Sequence, residues 1–238
     1  MIEARGIATV VIGLVRPQIE RTPPPRALWV PFPLGRPLGE PEDAQFQRRV
    51  LLTALGLLER ADGPRILVDF PDDAPGMRDD PEWRPAVAEL TPLPLEVRSA
   101  ERWAAAVNEE VAAFGPAVER FRAARGRTTV GASRLAPAQW SGVIAAFLGP
   151  APPASPVDGV SAAVAMRLAA DDLKAYCREA AIGPTGRPSI AQIDTWLWRQ
   201  TRSGALLKAV RARGLEAPEG GFKTVAARFL VPAPFIGG

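Results

Sequence analysis

Residues Ile7 to Val15 read IATVVIGLV, a nearly unbroken apolar and β-branched run bounded by Gly6 and by Arg16-Pro17. A strand with one wet face alternates apolar and polar residues. A run without that alternation predicts a strand covered on both faces, which occurs in parallel sheets sandwiched by helices. Ala27 to Val30 and Ile66 to Val68 read as further strands. Between them, Ala44 to Arg60 places Phe46, Val50, Leu51, Ala54, Leu57 and Leu58 at helical spacing. Pro41, Glu42 and Asp43 stand before it, where a first turn and a positive helix end favour them. Strand, turn, strand, helix, strand predicts a partial α/β domain with a mostly parallel sheet over residues 1–70.

Prolines then punctuate the chain. The 26 of them gather in stretches such as Pro71 to Pro94 and Pro150 to Pro156, where a fixed φ and a missing N–H stop regular structure. Residues 71–98 therefore read as a Pro/Asp-rich connection and residues 99–238 as a mainly α-helical region. Ser99 to Arg125 carries a stripe of Trp103, Val107, Val111, Phe114, Val118 and Phe121, with a kink or break expected at Gly115-Pro116. Pro137 opens a short helix bearing Trp140, Val143, Ile144 and Phe147, and Val160 to Ala181 forms another, closed by Gly183. Ser189 and Gln192 make a capping box for one helix carrying Ile193, Trp196, Leu197, Leu206, Leu207 and Val210.

Composition excludes whole classes of chemistry. There is no histidine and a single cysteine, Cys177. Ser-His-Asp, Cys-His and histidine-based zinc sites cannot be built within one chain, and neither can an internal disulfide. No apolar run approaches the ~20 residues of a membrane span, and the first residues lack the pattern of a secretory signal. A cytoplasmic location without membrane association is the expectation. The net charge of +3 is mild but uneven: 11 Lys+Arg against 6 Asp+Glu from Gly159 onward, 18 against 20 before it. Arg199, Arg202, Lys208, Arg211 and Arg213 carry much of the excess on one predicted helix, read as a solvated face in preference to a nucleic-acid surface.

The run PPPRALWVPFPLGRPLG, Pro23 to Gly39, sets a short β-type segment between two proline-rich turns. With its flanks ATVVIGLVRPQIE (Ala8 to Glu20) and PEDAQFQRRVLLTALGLLERADGPRILVDFPDDAP (Pro41 to Pro75), it resembles the selenoprotein B family of glycine, sarcosine, betaine and D-proline reductases, its short bacterial members in particular. The stretches DDLKAYCREAA and PSIAQIDTWLWRQT carry the resemblance on to about Ala227, less specifically. The resemblance implies an oxidoreductase that reductively cleaves a C–N bond in a small amino acid or amine, with electrons supplied through thiols. The family's redox selenocysteine or cysteine would come upstream of the segment that opens this chain, and MIEARG resembles the tail of a helix. The expectation is thus a subunit or an N-terminally truncated form of such a reductase. A second chain, either a redox partner or another copy, would complete it. The alternative is a non-catalytic interaction or scaffold protein that docks a partner through its basic helical region.

The loop PFPLGRPLG lies between a predicted strand and helix, where α/β folds place ligand contacts. Arg36 could grip the carboxylate of an amino-acid substrate in a two-donor fork, with Gly35 and Gly39 shaping the turn around it. The loop reads as a rigid structural turn in preference to a substrate or partner contact. It has no phosphate-loop spacing, and Glu40, Glu42 and Asp43 bring charge that would repel a phosphate. Cys177 falls on a helix face with Leu173 and Ala181 and reads as a buried, inert thiol. Trp196 and Trp198 read as core in preference to a stacking surface with Arg199 and Arg202. No catalytic residue, metal ligand or cofactor is assigned.

Overall fold

The computed structural model describes residues 2–60, 62, 65–74, 79–87, 90–182 and 188–236. The chain divides into two compact units, Met1–Asp79 and Asp80–Gly238. The first is α/β and the second is helical.

In the first unit, β1 (Val11–Gly13), β2 (Arg26–Trp29) and β3 (Ile66–Asp69) form one parallel sheet in the order β1-β2-β3. The register pairs Val11 with Ala27 and Leu28 with Val68. Helix α1 (Arg16–Arg21) links β1 to β2, and Pro17 suits its first turn. Its Ile19 packs over Gly13, where any Cβ would collide with the isoleucine side chain. Helix α2 (Ala44–Gly56) is capped by Asp43, whose side chain accepts the Phe46 N–H at 3.0 Å. Phe46, Val50 and Ala54, each four apart, turn toward Leu28, Val30, Ile66 and Phe70 to make the core of this unit. The helix stops at Gly56, and Leu57–Glu59 tighten into a 3-10 turn. Leu51, expected on the apolar face, lies off the Phe46-Val50-Ala54 stripe and is exposed, as are Leu52 and Leu55.

The run Ile7 to Val15 does not form a strand buried on both faces. Only Val11–Gly13 pair, β1 lies at the sheet edge, and Ile7, Val11 and Val15 are exposed. The cause is local. Glu3, in a 3-10 turn with Arg5, takes the Thr9 N–H at 2.7 Å and the Thr9 hydroxyl at 2.9 Å, so the Thr9 amide serves this carboxylate and not the sheet. Glu3 also pairs with Arg26 at 2.8 Å, at the start of β2.

The helical unit comprises α3 (Ala100–Arg125), α4 (Pro137–Ala145), α5 (Ala162–Ala181), α6 (Ile190–Gln200), α7 (Arg202–Leu215) and α8 (Gly221–Arg228). Ser99, Ser161 and Ser189 cap α3, α5 and α6 through their hydroxyls, and the Ser189-Gln192 capping box is present. The predicted closure of α5 at Gly183 lies outside the described residues. Trp103, Trp140, Trp198, Phe114, Met166, Leu173 and Leu206 are among the largest fully buried side chains.

Two expectations are corrected here. Of the kink or break expected at Gly115-Pro116, the break does not occur: helix α3 runs through Pro116. An interior proline costs about 3 kcal/mol, and burial of Trp103, Val107, Val111 and Phe114 before it and Ala117 and Val118 after it in one core offsets that cost. The single helix read from Ile193 to Val210 is two. Thr201 is extended, at φ −105° and ψ 150°, and its hydroxyl accepts the Gly204 N–H at 2.9 Å, which opens α7. The basic residues consequently divide between α6 and α7.

Candidate functional site

The loop after β2 is a rigid double turn. The Arg36 N–H donates to the Pro33 carbonyl and the Gly39 N–H to the Arg36 carbonyl, both at 3.0 Å. Gly35 and Gly39 sit at φ +87° and +86°, a region that L side chains enter only with strain. Gly39 also lacks room, since a Cβ there would lie 2.7 Å from the Phe46 ring. Phe32, Phe46 and Phe70 lock the base of the loop in three edge or tilted ring contacts with centroids 5.5 to 5.8 Å apart. The amide of Gln47 donates to the Glu40 carbonyl at 2.8 Å and ties the far end to α2.

Gly35, Arg36 and Gly39 thus come together in one loop, with Arg36 at its exposed face. Its guanidinium pairs with Glu40 at 2.9 Å, and both side chains are more than a third exposed. An exposed ion pair of this kind contributes roughly 0.2–1 kcal/mol, so the pair opens at small cost. Beside Arg36, Leu34 is 76% exposed, the most exposed large apolar side chain of the described residues.

Cys177 is fully buried in α5. Burial, then the nearby Glu110 carboxyl, pushes its thiol far above the ordinary value, so the thiolate needed for nucleophilic attack is not formed. Trp196 and Trp198 are both core residues, at 4% and 2% exposure. Arg202 turns inward: its guanidinium donates to the Thr91 and Ala106 carbonyls and pairs with Glu109 at 2.5 Å. The stacking surface of Trp196, Trp198, Arg199 and Arg202 is therefore not assembled.

Three buried acids escaped the sequence reading. Glu110 of α3 takes the Arg202 and Ser203 N–H groups, at 2.7 and 2.8 Å, at the start of α7. Asp172 takes the Gly131, Ala132 and Ser133 N–H groups, and Glu179 takes the Thr129 N–H at 2.6 Å. Each serves backbone donors that would otherwise be orphaned, which is a structural task. Burial pushes the Glu110 carboxyl up, against the pull of the Ser203 and Arg202 donors. The partners lie 39 to 93 residues away in sequence, so only a pairing of distant segments could have revealed them.

Among the described residues no group of three or more His, Cys, Asp or Glu side chains is placed to hold a metal, and no helix is long and apolar enough to cross a membrane. No family model, no curated protein and no solved structure matches the chain.

Proposed function

We propose that this chain is the non-nucleophilic subunit of a selenoprotein B-like reductase acting on a small amino acid or amine. The observation that supports this division of labour is Cys177: the chain's one thiol is sealed in the helical core and held protonated. A reaction in which a dithiol gives two electrons, the C–N bond breaks and the amine leaves must take its attacking selenol or thiolate from another polypeptide or segment. The loop of Gly35, Arg36 and Gly39 is the contact this chain offers. It is rigid, and Arg36 carries a two-donor fork suited to a carboxylate.

The Arg36–Glu40 pair and the exposed Leu34 beside it favour a second reading, in which the loop docks a protein partner and the chain does no chemistry. One experiment separates the two. Dithiol-dependent release of ammonia from glycine, or of amine from sarcosine or betaine, is assayed with the purified chain alone and with the product of the reading frame immediately upstream. The reductase reading expects no turnover alone and turnover in the mixture, lowered by Arg36→Lys through a raised KM. An inactive mixture leaves the docking reading.

A further inference from the structure

The junction of α6 and α7 borders a cavity of about 360 Å3 that lies wholly within the helical unit. Leu93 and Leu95, from the segment before α3, and Phe235, near the C-terminus, give it an apolar lining. Trp198 adds its ring, which stacks on Phe235 with centroids 6.1 Å apart and planes 26° apart. The Trp198 indole N–H is buried without an acceptor.

Two cations complete the lining: Arg199, in the last turn of α6, and Lys208, on α7. Neither takes part in an ion pair among the described residues, whereas the neighbouring Arg202 pairs with Glu109 and Arg178 with Asp194. Partial burial, then the Arg199 charge, holds the Lys208 ammonium below its ordinary value. Two like charges drawn to one concavity, with no acid among its described lining residues, are a cost that an incoming anion would remove.

We propose that this cavity binds an organic carboxylate with a compact apolar or aromatic body, the carboxylate held between Arg199 and Lys208 and the body against Leu93, Leu95 and Phe235. The mixed lining selects the class. Cations alone would take any anion, and an apolar concavity alone would take any greasy solute, whereas the combination favours a molecule with both ends. Arg199 supplies the planar fork and Lys208 a point charge, which together satisfy one carboxylate from two sides. The site is independent of the reductase reading, and its test needs no second chain.

Isothermal titration of the full chain with phenylacetate, phenylacetamide and inorganic phosphate decides the matter. Phenylacetate should bind saturably and at least about tenfold more tightly than the amide. Lys208→Gln and Arg199→Gln should each weaken the acid about tenfold, the loss of one charge-assisted hydrogen bond, without changing the amide. Arg199 is exposed and Lys208 half-exposed, so both variants retain the fold, which an unchanged thermal midpoint verifies. Leu95→Ser should weaken acid and amide together. Equal binding of acid and amide, phosphate binding as tight as phenylacetate, wild-type affinity in both cation variants, or no heat with the acid would each overturn the assignment.

Discussion

Asp172 shows how one side chain can hold a loop. Its carboxylate accepts the N–H groups of Gly131 at 2.7 Å, Ala132 at 2.8 Å and Ser133 at 2.8 Å, and the Ser133 hydroxyl at 2.5 Å. Burial alone would push this carboxyl up; the four donations outweigh it and hold it below the ordinary aspartate value. A folded pKa below the unfolded one adds stability that is complete above the unfolded value, about 3.9, and is lost as pH falls through the folded value. Urea unfolding followed by tryptophan fluorescence should therefore show the chain weakening below about pH 4, with a smaller acid loss in Asp172→Asn. At pH 7 the variant should be weaker by roughly 1–3 kcal/mol for each donor left unpaired, and equal stability of the two proteins would remove this role. The sequence shows two adjacent acids on one helix, of which Asp171 pairs with Lys174 at 2.8 Å while Asp172 turns inward. It could not tell what Asp172 meets, because adjacency in sequence carries no information about a loop some forty residues upstream.

The α6–α7 junction makes the same point for helices. Thr201 donates its hydroxyl to the Leu197 carbonyl at 2.6 Å and accepts the Gly204 N–H, closing one helix and opening the next. Glu110 adds two acceptors for the freed donors of α7. The helices approach so closely that a Cβ on Gly204 would overlap the Leu197 carbonyl oxygen and lie 3.1 Å from the Trp198 Cα. These are backbone atoms and cannot swing aside. Gly204→Ala should thus cost about 3 kcal/mol, at the upper end of overpacking, against the small gain that alanine brings to an open helix position. Chemical denaturation of the two proteins measures it, and a neutral or stabilised variant would show that the junction can relax. Helical periodicity was legible across this region because α6 and α7 both bury apolar residues; the break was not, since one extended residue, Thr201, leaves that periodicity in place and the Glu110 that takes the Arg202 and Ser203 N–H groups lies far upstream. The Ser189-Gln192 box was legible because its two reciprocal bonds join residues three apart, although the Gln192 amide also bonds the distant Asp80 backbone.

The division of the chain into an α/β part and a helical part follows from the change in apolar period on either side of the proline-rich stretch, a signal summed over many residues. Burial of β1 was harder to read. An apolar run states that a segment is able to be covered, not that its own chain covers it, and among the described residues β2 flanks β1 on one side only. Parallel edges with exposed β-branched residues are places where strands add, and proteins that leave them bare guard them with lysine, proline or bulges. β1 carries none of these: its residues are Val11, Ile12 and Gly13, and Val11 is 43% exposed. If a second polypeptide or a second copy completes the sheet there, light scattering should give a mass above the 25.4 kDa of one chain, falling to that value in Val11→Lys. The lysine removes the apolar contact and places a charge at the edge while leaving the β1–β2 ladder intact, so the variant should stay folded by circular dichroism. A wild-type chain that scatters as a single copy at every concentration, alone and with the upstream gene product, would show that the edge is closed to partners and would withdraw the two-chain reading.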